Sequence, residues 1–278
     1  MKRFWKYALP TAGAAAAALG IAAFFTAPGH AAAEKKAPFI GANIAHRGLH
    51  TRDRAVPENS LAAFRDAVER GYGVEFDVHI TMDRELVVFH DDTLTRMCGA
   101  DLRIDDVLRK DLDNYVLAGT EEKIPSLAEV LELIGGRTPI VLELKRGSQN
   151  RLLCEKVRAA LLDYTGPVCV ESFDPRIVAW WRKNAPEVLR GQLSCSMSGY
   201  DNEISKPLAF ALSRLLTNFI SRPHFVAYGV DGGKKPLTVR LCEALGAMKV
   251  CWTSHDPSHE DHNDTVIFEF YRPRRKFK

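Results

Sequence analysis

Gly73-Val-Glu-Phe-Asp-Val-His-Ile80 is the stretch on which the fold turns. Val74, Phe76 and Val78 alternate with Glu75 and Asp77, so a strand here puts both carboxylates on one face and the apolar residues on the other. Alone, a Glu-x-Asp alternation is an ordinary solvated strand face. Its surroundings argue for something else. Just upstream, Asn59-Ser60 can cap a helix whose Leu61, Phe64, Ala67 and Val68 share one side, and Gly71 ends that helix shortly before the strand begins.

The same alternation of short apolar runs and amphipathic helices continues along the chain, which is the signature of βα units and a parallel sheet. Strands are expected at residues 42–46, 74–80, 140–145, 168–173, 189–193, 225–230, 249–253 and 265–270, eight in all. Eight parallel strands close into a (β/α)₈ barrel of TIM type, an α/β fold whose active sites lie at the carboxyl ends of the strands. Neither face of a strand in such a barrel meets bulk water, so Glu75 and Asp77 then need a cation or protons. Ser126 opens a further helix over Leu127 to Ile134, stopped by Gly135-Gly136, and residues 151–164, 175–184 and 237–245 supply three more outer helices. Residues 207–220 read as one continuous greasy helix, either packed into the core or serving as a lid or lipid-facing element.

Composition narrows the class. The chain has 278 residues, 46% hydrophobic and 26% charged, ordinary values for a globular protein. Its 38 basic and 35 acidic residues leave a net charge of +3, too balanced to indicate a nucleic-acid partner. The basic tail from Tyr271 to Lys278 is expected to be a solvated terminus or a patch that touches anionic headgroups. Six scattered cysteines lack zinc-like spacing and read mostly as small core hydrophobes. At the N-terminus Lys2, Arg3 and Lys6 precede an uncharged, alanine-rich stretch over residues 7–28, and Ala31-Ala-Ala33 offers a cleavage site. The expectation is a leader over residues 1–33, either an uncleaved transmembrane anchor helix or a cleaved signal peptide. In both cases a single barrel domain over residues 34–278 faces away from the cytoplasm.

Chemistry gathers at the ends of the expected strands. The first ends in His46-Arg47-Gly48, the run Val87-Val-Phe-His90 ends in a second histidine, and Leu142-Glu143-Leu-Lys145 adds a third acid and a cation. Three carboxylates make a hard oxygen site of Ca²⁺ or Mg²⁺ type, and two histidines beside it supply an acid and a base. No thiolate accompanies them, against structural zinc. The loop histidines His255, His259 and His262 are at metal-compatible spacing, but the carboxylates and solvent exposure around them favour an ordinary polar loop.

In these residues the chain resembles the glycerophosphodiester phosphodiesterase family. The matching motifs are His46-Arg-Gly48, Pro57-Glu-Asn-Ser60, Gly73-Val-Glu-Phe-Asp77, Leu86-Val-Val-Phe-His-Asp91 with Leu94-Thr-Arg96, Ile124-Pro-Ser-Leu127 and Leu142-Glu-Leu-Lys145, with looser likeness at Glu171-Ser-Phe173 and Trp252-Thr253. The resemblance implies one divalent cation, Mg²⁺ or Ca²⁺, held by Glu75, Asp77 and Glu143. It also implies His46 and His90 as general acid and base, and Arg47, Lys145 and Trp252 as substrate contacts. The expected substrate is a small glycerophosphodiester, cleaved to sn-glycerol 3-phosphate and an alcohol. Alternatives are a lysolipid substrate or phospholipase C-like chemistry on the same barrel, or an inactive membrane-anchored binding protein. Two departures from the family pattern stand out: the short segment between Asp92 and Ile124, and a last strand Val266-Ile-Phe-Glu-Phe270 in place of the usual ending, where Glu269 is expected to pack or pair rather than serve catalysis.

Overall fold

A computed structural model describes residues 5–200 and 204–278, with side chains from residue 16 onward. Among the described residues nine strands form: β1 (Ala42–Ala45), β2 (Gly73–Ile80), β3 (Leu86–Val88), β4 (Ile140–Leu144), β5 (Val168–Ser172), β6 (Leu189–Ser194), β7 (Phe225–Gly229), β8 (Met248–Ser254) and β9 (Thr265–Phe268). Around the sheet the order is β1-β9-β8-β7-β6-β5-β4-β2, every neighbouring pair is parallel, and β1 pairs with β2 to close the ring. This is the expected eight-stranded barrel. β3 stands outside it, antiparallel to the end of β2, and the Phe89 amide donates to the Asp77 carbonyl at 3.0 Å. That bond carries His90 to the mouth of the barrel.

The strand pleat divides apolar residues between two cores. Ile44, Val141, Leu189, Phe225 and Ile267 point inward and fill the lower half of the barrel, joined from below by Phe39. Phe64, Phe76, Val130, Leu142, Val170 and Trp181 pack between the strands and the outer helices. The inner filling needs glycine at position 191, where a Cβ would lie 2.0 Å from the Phe225 ring. Helix starts follow the local signals: the Ser60 hydroxyl accepts from the Ala63 amide at the head of Leu61–Glu69, and Ser126 with Glu129 forms a full capping box on Leu127–Ile134.

The stretch over residues 207–220 is not one helix. It divides into Lys206–Ser213 and Asn218–Ser221, with buried Leu215 at φ 56° between them. The Ser194 hydroxyl donates to the Leu212 carbonyl at 2.9 Å and the Tyr228 hydroxyl to the Ser213 carbonyl at 3.3 Å. Those two carbonyls are thereby engaged by the barrel wall, and the turn ends where they are taken. Ala209 and Leu212 are buried while Leu208 and Phe210 are exposed.

The termini also differ from a free leader and a free tail. A helix spans Trp5–Thr26. Its last turn sits on the barrel, with Phe25 edge-on to Phe219 at 5.2 Å and the Arg222 guanidinium donating to the carbonyls of Phe24 and Ala27 at 3.0 Å. Among the described residues no helix is long and apolar enough to cross a membrane. Lys2 and Arg3, with the side chains of Lys6 and of the first half of the apolar stretch, lie outside the described residues. The basic tail is pinned: Lys276 bridges to Ala42, the Tyr72 hydroxyl donates to the Pro273 carbonyl at 2.6 Å, and Lys278 Nζ meets Asp264 at 3.0 Å. No disulfide forms among the described residues, and Cys154, Cys169, Cys242 and Cys251 are buried thiols.

The inner packing yields a test. Gly191→Ala drives a methyl into the Phe225 ring and should cost about 1–3 kcal/mol, the usual penalty for overfilling a tight core. In urea melts the midpoint should fall while the slope stays that of the wild type; an unchanged midpoint would contradict the close approach.

Candidate active site

Above the apolar filling the inner wall turns abruptly charged. Asp77 on β2 pairs in register with Glu143 on β4, and Glu143 with Glu171 on β5, so three carboxylates stand side by side on adjacent strands. Glu75 lies one pleat lower on β2, and all four are buried. Carboxylate oxygens of Glu75, Asp77 and Glu143 lie within 4.8 Å of one another. The three expected metal ligands therefore converge on one space.

Their environments differ sharply. Burial, then Asp77, pushes Glu75 well above the ordinary carboxylate range. Burial likewise raises Glu143 to about 7, against the pull of Lys145. Glu171 is pushed well up by burial and by Glu143 and Asp77, and its Oε2 has no hydrogen-bond partner. Asp77 goes the other way. Its burial opposes ionisation, but Lys145, His90 and Arg47, with a 2.9 Å bond from Asn59 Nδ2, together hold it well below the ordinary range. Lys145 Nζ sits 3.3 Å from Asp77 Oδ1 and 3.0 Å from Glu143 Oε1. A buried all-oxygen trio in which Glu75 and Glu143 have raised proton affinity, with an orphaned Glu171 oxygen beside it among the described residues, fits a hard divalent cation.

Each histidine is backed by a carboxylate. His46 Nδ1 lies 3.3 Å from Glu269 Oε1 and His90 Nδ1 lies 2.6 Å from Asp91 Oδ1. Both carboxylates are depressed: Glu269 against its own burial by the bonds from His46 and His50, and Asp91 likewise by His90 and Arg96. An ionised carboxylate on Nδ1 fixes that nitrogen as the donor and leaves Nε2 as the nitrogen free to exchange a proton. His46 Nε2 is 3.9 Å from Glu75 Oε2. Burial and then Arg47 lower His46 to about 4, which leaves that ring neutral at pH 7; burial lowers His90 despite Asp77.

The site reaches beyond the residues named from sequence. Arg96 Nε bonds Asp91 at 2.7 Å, its terminal nitrogens clasp Glu58 at 2.7 and 2.8 Å, and Glu58 also takes Arg47 at 2.7 Å. Arg47 closes the chain with its amide on Glu75 at 2.9 Å and its Nε 3.5 Å from Asp77. The backbone of Arg47 adopts φ 53° and Gly48 φ 81°, and a Cβ on Gly48 would strike Ala63 at 2.8 Å. Glu58, Asp91 and Arg96 lay within quoted motifs without an assigned part. Glu171 carried the available signal, a fourth acid at a strand end. Trp252 stands on the opposite wall, its Nε1 donating to the Ala227 carbonyl at 3.0 Å and its ring edge-on to Phe173 at 5.4 Å. Among the described residues His255, His259 and His262 do not gather into a metal-compatible group; His259 instead bonds Ser254 at 2.9 Å.

A parallel barrel with three convergent carboxylates, two carboxylate-backed histidines and an Arg–Lys pair at the strand ends has its candidate site where such barrels carry their chemistry, and the carboxylate trio could hold a metal ion. The profile of the Glycerophosphoryl diester phosphodiesterase family matches residues 46–268, and the chain belongs to that family. It is 36% identical over 163 residues to the glycerophosphodiester phosphodiesterase of Caldanaerobacter subterraneus subsp. tengcongensis, an alignment covering 54% of this chain and 65% of that protein. It is 34% identical over 143 residues to a lysophospholipase D of Homo sapiens, covering 47% and 44% of the two chains. The chain thus spans less than two thirds of these relatives' own length. In fold it is similar to an Oleispira antarctica phosphodiesterase solved with the product sn-glycerol-3-phosphate, at TM-score 0.67 and 24% identity over 83% of this chain and 93% of that one.

Because cation binding must expel the protons that Glu75 and Glu143 retain, affinity for Mg²⁺ or Ca²⁺ should rise with pH from the ordinary carboxylate range up through about 7, the value for Glu143. Calorimetry at pH 6 in buffers of different ionisation heat should register proton release, and Glu143→Gln should reduce it to the share that comes from Glu75. Affinity independent of pH would contradict the arrangement.

Proposed function

We propose that this protein hydrolyses glycerophosphodiesters to sn-glycerol 3-phosphate and an alcohol with the help of one divalent cation. The observation that carries the reading is the convergence of Glu75, Asp77 and Glu143 with a carboxylate-backed histidine at either flank. Membership of the family supports it, as does the product bound in the Oleispira antarctica protein of the same fold.

Glu75, Asp77 and Glu143 would hold the cation, which when bound neutralises charge on phosphoryl oxygens and aligns the phosphodiester. The chain's own groups do the rest. Arg47 and Lys145 add two fixed positive charges beside the trio to receive the phosphate, their orientation set in advance by Glu58, Asp77 and Glu143. His46 and His90 act as the base and acid pair: His46, with its Nε2 lone pair free, takes the proton of the attacking hydroxyl, and His90, entering the reaction with Nε2 protonated, gives a proton to the departing alkoxide. Trp252 and Phe173 offer an apolar wall for the glycerol or alcohol portion.

A lysolipid substrate is the second reading, supported by the human lysophospholipase D relative. Product analysis on glycerophosphocholine, glycerophosphoethanolamine and a lysophosphatidylcholine distinguishes the two. His46→Ala and His90→Ala should each lower kcat by roughly 10² to 10⁴ with the thermal melt preserved; wild-type turnover in either would refute the assignment.

Residues 1–33 are also read as an export leader, retained as a tether or cleaved, that leaves the barrel outside the cytoplasm, on the strength of their basic start and uncharged, alanine-rich body, although among the described residues no helix is long and apolar enough to cross a membrane. Full-length protein should sediment with membranes and a chain starting at Glu34 should not. Unprocessed full-length protein in the cytosolic fraction would refute it.

A further inference from the structure

The carboxylate of Glu269 sits among imidazoles. Its Oε1 faces His46 Nδ1 at 3.3 Å and His50 Nε2 at 2.9 Å, and its Oε2 lies 3.8 Å from His255 Nε2. Ligand atoms of His46, His50 and Glu269 all fall within 4.8 Å of one another. Tetrahedral zinc with nitrogen and oxygen bonds of about 2.0–2.1 Å spaces its ligand atoms by roughly 3.3 Å, so the spacing around Oε1 is already that of a coordination shell. The rings are braced: Phe270 packs edge-on to His50 at 4.9 Å and stacks on His255 at 6.0 Å. Two nitrogens and one oxygen differ in kind from the all-oxygen trio of Glu75, Asp77 and Glu143. Imidazole suits zinc and other late transition metals, whereas Mg²⁺ and Ca²⁺ prefer carboxylates.

We propose that His46, His50 and Glu269 form a second cation site, selective for Zn²⁺ or a similar transition metal, whose occupation switches the barrel off. The chemistry is a change of tautomer. Without the metal, the single proton of His46 rides on Nδ1, bonded to Glu269, and the Nε2 lone pair can take a proton. Zinc coordinated at Nδ1 moves that proton to Nε2, and at His50 it takes Nε2 and moves the proton to Nδ1. Each ring keeps one proton, no electrons are transferred, and Nε2 of His46 loses its lone pair. Zinc uptake rests on the geometry alone, whereas inhibition rests on the proton role proposed for His46.

Full-length protein saturated with Mg²⁺ is titrated with ZnCl₂ by calorimetry, with turnover of glycerophosphocholine followed in parallel. We expect one equivalent of Zn²⁺ to bind and turnover to fall at least about tenfold, without relief by further Mg²⁺. His50→Gln, which keeps a donor to Glu269 but loses a ligand, should raise the half-inhibitory Zn²⁺ concentration by at least about 10- to 100-fold, the cost of losing even a group that only supports a ligand. Absence of Zn²⁺ uptake by the Mg²⁺-saturated wild type, relief by added Mg²⁺, or equal inhibition of His50→Gln would each overturn the site. Uptake that depends on His50 but leaves the rate unchanged would overturn the switch. Lack of any phosphodiester turnover would strike the proposed function instead, with the calorimetric result still readable.

Discussion

Asp77, Glu143 and Glu171 stand in one register row across three adjacent parallel strands, and Glu75 lies a pleat below. Neighbouring strands are about 4.8 Å apart. Two ionised carboxylates at about 5 Å repel by roughly 3 kcal/mol even at an effective dielectric of about 20, while a whole domain is stable by only about 5–15 kcal/mol. Four such charges together in a barrel wall would consume most of that margin. The rest of the site follows from this constraint. Lys145 lies between Asp77 and Glu143, Arg47 reaches both Glu75 and Asp77, and Asn59 adds a neutral donor. The remaining demand falls on Glu75, Glu143 and Glu171 as raised proton affinity, which is the condition under which a divalent cation is welcome. The apolar filling beneath supplies stability that this upper layer does not.

Much of this was legible in the chain. Strand alternation alone aims Glu75 and Asp77 to one side, and helix starts at Ser60 and Ser126 are local chemistry that needs no tertiary knowledge. What escaped depends on pairing between distant segments. Glu171 joins the row only because β5 lies in register beside β4, a fact fixed by strand order rather than by its own neighbours. The break at Leu215 is invisible in an apolar run, because Ser194 and Tyr228, which take the carbonyls there, lie on β6 and β7. Glu269 pairs, as expected, but its partner His46 lies more than 200 residues away and could not be named from the sequence.

The two histidines arrive by different routes. His46 extends β1, and its ring is held by a carboxylate that follows β9, the neighbouring strand; its backbone is already fixed by an amide bond to the Phe268 carbonyl at 3.0 Å. His90 hangs from the short antiparallel β3, outside the ring of strands, with a carboxylate from the next residue in sequence. One dyad is set by the barrel wall and the other by a hairpin leaning on it.

The hairpin dyad therefore needs an external reference, and Arg96 supplies it. With Asp91 on one side and Glu58 on the other, its guanidinium joins the His90 loop to the segment that follows β1, where Glu58 also grips Arg47. Arg47 in turn contacts Asp77 and donates its amide to Glu75. The path His90–Asp91–Arg96–Glu58–Arg47 consists of charge-assisted hydrogen bonds, each stronger than a neutral one and directional at the guanidinium forks, and an ion pair at 3.5 Å carries it on to Asp77. Each carboxylate along it is shared between two cations or a cation and an imidazole, so displacement of one member leaves another charge uncompensated in a partly buried place. Such a network resists small independent movements of its members. The imidazoles of His46 and His90 and the carboxylate trio are in this way held in a single frame, although they descend from three separate stretches of the chain.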